Sequence, residues 1–309
     1  MINVLFAALD VRWDEYRLPL KQAFEEAGLD VDLRQDFPPA DVDYIVYAPN
    51  SPLQDFTPYT RTKAVLNLWA GVEAITGNET LTQPLARMVD DGLTDGMIEW
   101  VTGHVLRHHL GMDAHIHGLQ GDWQHVAPPL ARDRSVTVLG LGELGSACAQ
   151  MLSSLNFNVT GWSRHPKDIK GINCLAGETG LIQALSTAEI VILLLPLTPQ
   201  TENILNAKTL AAMPKGAVVM NPGRGALIDD DALLVALASG QIGHATLDVF
   251  RVEPLPQDHA YWSHPNVTVT PHIASETRAP SSSRVIAENI RRGEAGEPFL
   301  HLVDRSAGY

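Results

Sequence analysis

A chain of 309 residues with 45% hydrophobic and 19% charged residues has the length for two domains and the composition of an ordinary globular protein, not a disordered or fibrous one. Its formal charge of −14 argues against general nucleic-acid binding, because neutralising phosphates along a duplex takes a basic face. Two cysteines, Cys148 and Cys174, are too few for a disulfide framework, and no apolar stretch approaches the roughly 18 residues that span a bilayer; a reducing cytoplasm and no membrane partner are expected.

The opening run MINVLFAALDVRWDEYR has no basic leader or small-residue cleavage site before it turns polar, so it reads as a first strand and not a signal peptide. INVLFAAL predicts that strand, Val11 to Ala27 an amphipathic helix ended by Gly28, and DYIVYAP and AVLNLWAG further buried strands. Thr94 to Leu110 has helical spacing without a breaker and predicts one long helix leaving this first unit. The stretch HIHGLQGDWQHVAPPLARDR is irregular and proline-bearing, an arm or linker. From Ser135 a second series begins, with strands expected in SVTVLG, FNVTGWS, EIVILLLP, GAVVMNP, HATLDVF and NVTVTPH and helices between most of them. Pro280 to Arg292 predicts a last helix that returns to the first domain. The fold class is therefore α/β: two Rossmann-like or flavodoxin-like doubly wound parallel-sheet domains, one discontinuous (residues 1–97 and 274–309) and one of residues 98–273. Both cysteines fall in segments expected to be buried.

Gly140, Gly142 and Gly145 follow the strand-like VTVL and open a helical run, the context in which this spacing has physical meaning. The first glycine permits a tight turn, the second lets a pyrophosphate approach the backbone, and the third lets helix and strand pack closely. The helix N-terminus adds free amides and a positive dipole end. At the end of the next strand, where a carboxylate would hold the ribose diol of NAD, the chain reads Trp162-Ser163-Arg164-His165-Pro166-Lys167. Arg164 and Lys167 attract a 2′-phosphate and Ser163 can donate to it, so NADP(H) is expected to be preferred and NAD(H) tolerated.

Three later side chains carry reaction chemistry. Arg224, in NPGRGALIDDDAL, lies just past a buried strand, where a guanidinium can hold a carboxylate by two parallel hydrogen bonds and polarise an adjacent carbonyl. Glu253 in LDVFRVEPLP and His272 in TVTPHIASET supply a carboxylate beside an imidazole, a pairing that favours imidazolium and makes a proton donor near neutral pH. Each alone has a plain structural reading, as a surface arginine or a satisfied core histidine.

The order and local text of these elements resemble the D-isomer-specific 2-hydroxyacid dehydrogenase family over nearly the whole chain. Within it they are most similar to the reductases of glyoxylate and hydroxypyruvate in group A. GLGELG, the WSRxxK of Trp162 to Lys167, LPLTPQT from Leu195, NPGRG, LDVFRVEPLP, TPHIA and the terminal VDRSAGY carry the resemblance. It implies a dinucleotide-binding domain inserted into a substrate-binding domain, with the active site in the cleft between them. By matching position, Arg224 would bind and orient a small 2-keto acid, His272 would protonate its carbonyl oxygen, and Glu253 would support His272. The resemblance further assigns Gly140, Gly142, Glu143, Leu144, Gly145, Ser163, Arg164, Lys167, Leu195, Pro196, Pro222, Gly223, Asp248 and Ser275 to the cofactor. Trp69, Ala70 and Gly71 match the loop whose amides receive the substrate carboxylate, and small Ala70 and Gly71 make that approach sterically open. Tyr47 stands where related reductases carry a tryptophan-bearing strand, so a pocket lined by Tyr47 would differ in width and polarity. A homodimer is implied, with Trp100, Trp123 and His125 on the dimer surface or, on sequence alone, equally in the core. The competing readings are a dehydrogenase of another D-2-hydroxy acid and a non-catalytic dinucleotide sensor; the complete Arg, Glu and His set argues against the second.

His104 and His108 stand at i and i+4, near His109, His115 and His117, a spacing that invites a metal reading. No third and fourth donor follows at a recognisable interval, so no metal is expected, and these histidines are expected at solvent or a subunit contact. Cys148, in the helix after the glycine turn, reads as packing and not as a nucleophile.

Overall fold

The first apolar runs become parallel strands with little exposed surface, as expected when helices cover both faces of a sheet. β1 (Ile2–Ala7), β2 (Val31–Arg34), β3 (Tyr44–Tyr47), β4 (Ala64–Asn67) and β5 (Leu85–Ala86) form an all-parallel sheet in the order β2-β1-β3-β4-β5. α1 (Asp10–Glu26) connects β1 to β2, and the short α2 (Glu73–Thr76) follows β4. Next come α3 (Asp91–His109) and α4 (Met112–Ile116).

The second series is β6 (Ser135–Leu139), α5 (Glu143–Ser154), β7 (Asn158–Ser163), β8 (Asn173–Ala176), α6 (Gly177–Ser186), β9 (Ile190–Leu193), α7 (Ala207–Ala211), β10 (Ala217–Asn221), α8 (Asp230–Ala238), β11 (Ile242–Leu247) and β12 (Val267–Val269). Its seven strands are all parallel, in the order β12-β11-β10-β9-β6-β7-β8. After β6 the chain runs to one side through β7 and β8, then crosses to β9 on the other. The carboxyl ends of β6 and β9 are therefore a topological switch point, where open α/β sheets leave a crevice for ligands. α9 (Ala279–Ala295) closes the chain and packs on α1, burying Ile286, Ala287 and Ile290 beside Tyr16, Leu20 and Phe24.

The computed structural model describes residues 1–123, 125–305 and 308, and the chain divides into two units, Met1–Leu93 with Glu276–Tyr309 and Thr94–Ser275. In the terminal VDRSAGY motif Ser306, Ala307 and Tyr309 lie outside the described residues, as does Gln124 of the arm. Each unit has its own cores on the two faces of its sheet. Among the described residues, no helix is long and apolar enough to cross a membrane.

The structure adds three strands to those expected. β2 buries one residue of four, Leu33; β5 is two residues long; β8 is exposed at Asn173 and half-buried at its other three residues, so none shows an apolar run. Cys174, on β8, is accordingly half-buried and not in the core, whereas Cys148 is fully buried. The arm is not wholly irregular, because α4 occupies its start.

Candidate active site

The glycine turn sits at the switch point. Gly140 adopts φ +105°, and a Cβ there would collide with the Leu194 carbonyl at the end of β9, so only glycine fits both the conformation and the space. Its amide donates to the Trp162 carbonyl at 2.8 Å, tying β6 to β7. A Cβ at Gly145 would overlap the Gly140 carbonyl, which explains the close seat of α5. Gly142 differs: a Cβ there would meet nothing within 4 Å. Open space in front of Gly142 and amides of Glu143, Leu144 and Gly145 without an acceptor among the described residues form the cradle that a pyrophosphate needs. The residues present thus fit a dinucleotide.

Ser163, Arg164 and Lys167 follow β7. Arg164 and Lys167 are exposed and carry positive charge, while the Ser163 hydroxyl donates to the His165 carbonyl at 2.7 Å and shapes its own loop. Leu195 is buried and Pro196 half-buried just beyond β9; Pro222 and Gly223 are buried just beyond β10; Ser275 is half-buried beside Gly96.

Arg224, Glu253 and His272 all follow strands β10, β11 and β12 at their carboxyl ends. Glu253 Oε2 lies 2.6 Å from His272 Nδ1, and Glu253 Oε1 accepts the Phe250 amide at 2.8 Å, so the carboxylate is fixed by its own loop before it meets the imidazole. Burial opposes ionisation of Glu253, but the His272 hydrogen bond, the Phe250 amide and the charges of His272 and Arg224 outweigh it and hold the carboxyl below its ordinary value. The hydrogen bond to Glu253 raises His272 above its ordinary 6.5; burial and Arg224 oppose that rise, and the charges of Glu253 and Asp248 add to it. With Nδ1 engaged, Nε2 is the atom free to donate, and the imidazole side chain is 53% exposed. Arg224 is half-buried, and its charge acts on both partners.

His272 has φ +55°, unusual for a non-glycine residue, and Asp248 holds it there. The His272 amide donates to the Asp248 carbonyl at 2.8 Å, while the Asp248 carboxylate accepts Thr270 Oγ1 at 2.5 Å, the Ile273 amide at 2.9 Å and the Ala274 amide at 2.9 Å. Hydrogen bonds to a charged group contribute about 1.5–3 kcal/mol each, enough to offset one strained residue. Arg224 is held in a similar way: buried Asn221 donates from Nδ2 to the Arg224 carbonyl at 2.8 Å and accepts the Gly223 amide at 3.1 Å. Sequence reading missed Asn221 and Thr270, although both stand within four residues of Arg224 or His272, at the strand ends where such anchors belong.

In the first unit Trp69 is 39% exposed and Ala70 and Gly71 are half-buried in the turn after β4. Among the described residues the amides of Ala70 and Gly71 donate to no acceptor. Tyr47 corrects an expectation: it is 1% exposed, its hydroxyl donates to the Leu53 carbonyl at 3.2 Å, and its ring meets Phe56 edge-on at 5.3 Å. It is a core residue with no open surface for a substrate.

The α3 histidines are a second correction. His109 is buried against Phe157, and His108 is half-buried with Nε2 2.9 Å from Thr246 Oγ1 on β11, its ring 4.9 Å from His244. They face the sheet because α3 packs across it; His115 and His117 are exposed. Among the described residues no group of three or more His, Cys, Asp or Glu is arranged to hold a metal. Trp100 is half-buried against His104, whereas Trp123 is 91% exposed and His125 is exposed.

A family model described as D-isomer specific 2-hydroxyacid dehydrogenase, NAD binding domain, matches residues 102–274. A glyoxylate/hydroxypyruvate reductase A of Serratia proteamaculans is 37% identical over 316 aligned positions, covering 100% of this chain and of the relative. A D-isomer specific 2-hydroxyacid dehydrogenase of Xanthobacter autotrophicus Py2, solved with NADPH and MES, superposes with a TM-score of 0.91 at 39% identity over 100% of this chain and 99% of that one. An NADPH-dependent glyoxylate/hydroxypyruvate reductase of Sinorhizobium meliloti, solved with NADP and sulfate, gives 0.88 at 32% identity over the full length of both.

Proposed function

Because the chain belongs to the D-isomer specific 2-hydroxyacid dehydrogenase family, we propose that this oxidoreductase reduces small 2-keto acids with NADPH, glyoxylate and hydroxypyruvate leading. Full-length similarity to reductases of those two acids supports the substrate class, and NADPH or NADP in two similar structures supports the cofactor. In this chain the support is the cradle around Gly142 and the basic pair Arg164 and Lys167 at the position where NAD enzymes carry an acid.

Glu143, Leu144 and Gly145 would hold the pyrophosphate, Ser163, Arg164 and Lys167 the 2′-phosphate, and Leu195, Pro196, Pro222, Gly223, Asp248 and Ser275 the nicotinamide half. When bound, the reduced nicotinamide supplies the hydride that reduces the keto carbon. Arg224 binds the keto acid and polarises its carbonyl, stabilising negative charge as it develops on oxygen. His272 donates the Nε2 proton to that oxygen. Glu253 keeps His272 charged and correctly turned, and stays ionised itself because its carboxyl is held low. The amides of Ala70 and Gly71, beside Trp69, receive the substrate carboxylate. The observation that carries this reading is the 2.6 Å contact of Glu253 with His272 inside the field of Arg224.

The protein acts as a homodimer: the arm exposes Ile116, Trp123, Val126 and Leu130, an apolar series suited to a second copy. It works in a reducing cytoplasm, in keeping with two unpaired thiols.

The test is NADPH oxidation across 2-keto acids of increasing size, repeated with NADH. Glyoxylate and hydroxypyruvate are expected to be reduced with a higher kcat/KM for NADPH. Binding of NADPH without reduction of any 2-keto acid would point to a sensor and overturn the proposal.

A further inference from the structure

The turn after β4 is held by a side chain that no motif announced. Asn67, the last residue of β4, is 1% exposed, and its Nδ2 donates to the Trp69 carbonyl at 2.8 Å and the Gly71 carbonyl at 3.1 Å. Both partners are carbonyls, so the orientation of the carboxamide is fixed by chemistry: only the NH2 end can face them. The Trp69 carbonyl also accepts the Met88 amide at 3.0 Å. Two carbonyls on either side of Ala70 are thereby drawn to one nitrogen, while the amides of Ala70 and Gly71 are left without an acceptor among the described residues. Asn67 Oδ1 is itself buried with no hydrogen-bond partner, so the residue is a costly choice on stability grounds alone.

We propose that Asn67 is a positioning residue: it pins the Trp69 and Gly71 carbonyls so that the Ala70 and Gly71 amides are presented together to a small carboxylate. The inference rests on the assignment of this turn to the substrate. Asn67 touches no reacting atom, so its effect falls on binding. The pinned turn arrives preorganised; a variant that cannot donate leaves the Trp69 carbonyl held by the Met88 amide alone and the Gly71 carbonyl free to swing toward the anion and repel it.

The test uses the enzyme with NADPH bound and compares Asn67→Leu and Asn67→Ala with the parent; neither side chain is charged and neither can donate. Oxalate is the carboxylate probe, read by backbone amide NMR shifts and by competitive inhibition. In the parent, oxalate is expected to shift the Ala70 and Gly71 amides. In both variants KM for glyoxylate and the oxalate inhibition constant are expected to rise at least tenfold, with NADPH affinity and kcat changed less than threefold. A general loss of structure would instead lower kcat and NADPH affinity together, and overturns the positioning role. If oxalate leaves the two amides of the parent unmoved, the assignment of the turn falls and takes this inference with it. If oxalate moves them but the variants bind it normally, the assignment stands and the role of Asn67 alone is refuted.

Discussion

Replacing Glu253 with glutamine removes the charge beside His272 and keeps the size. The contact is 2.6 Å long, but the side chains are 34% and 53% exposed, so solvent screens it and its share of stability is at most about 1 kcal/mol. The variant should fold, with a midpoint lowered by no more than about 2–4 °C. The sign with pH follows from the two shifts. His272 is raised, so its contribution to stability is complete below 6.5 and fades as pH rises through its folded value. Glu253 is lowered, so its contribution is complete above its ordinary 4.5 and fades as pH falls through its folded value. The pair therefore stabilises between those limits, and the difference between parent and variant vanishes outside them. Activity is more sensitive. With the Glu253 hydrogen bond and charge gone, burial and Arg224 dominate and His272 loses its proton at lower pH than in the parent. A positioned general acid contributes roughly 10²–10⁴ in rate, so the variant's loss should approach that range on the alkaline side and shrink toward acid, where His272 is protonated in both. Full kcat profiles for glyoxylate reduction from pH 5 to 9 read this directly. Superimposable alkaline limbs, or a loss equal at every pH, would refute the reasoning.

Arg224→Lys keeps the charge but not the planar fork; loss of one charge-assisted hydrogen bond, about 1.5–3 kcal/mol, should lower kcat/KM for glyoxylate roughly ten- to hundredfold, with NADPH affinity intact by fluorescence titration. Replacing Arg164 with Ser and Lys167 with Ala together should raise the KM for NADPH about tenfold or more and leave that for NADH unchanged, since only the phosphorylated cofactor loses partners. Burial pushes the Cys148 thiol up to about 12, so iodoacetamide at pH 8 should modify half-buried Cys174 and spare Cys148, as counted by peptide mass.

Much of this architecture was legible in the chain because its parallel strands are apolar on both faces. VTVL, IVILLL and AVVM could hardly be anything but buried strands, and the glycine spacing after VTVL located the switch point. The edge strands were not legible: VDLR and NCLA bury too little to mark themselves, and LA is too short. At the candidate site, Arg224, Glu253 and His272 stood out in the sequence because their chemistry is distinctive. Their anchors did not, since Asn221 and Asn67 act by reaching backbone carbonyls and Thr270 by reaching the Asp248 carboxylate, partners whose positions only the fold supplies. Tyr47 and His108 were misplaced for a related reason. Each is amphipathic, and sequence does not say whether its polar atom meets solvent or an internal partner such as the Leu53 carbonyl or Thr246.

The central claim is that Arg224 and His272 act on one molecule of 2-keto acid, and a double-mutant cycle on kcat/KM for glyoxylate with NADPH tests it most directly. If both groups serve the same carbonyl, Arg224→Ala and His272→Ala should each cost at least a hundredfold, and the double variant should fall little below the worse single. Losses that multiply in full, or single variants that retain near-parent turnover, would contradict it.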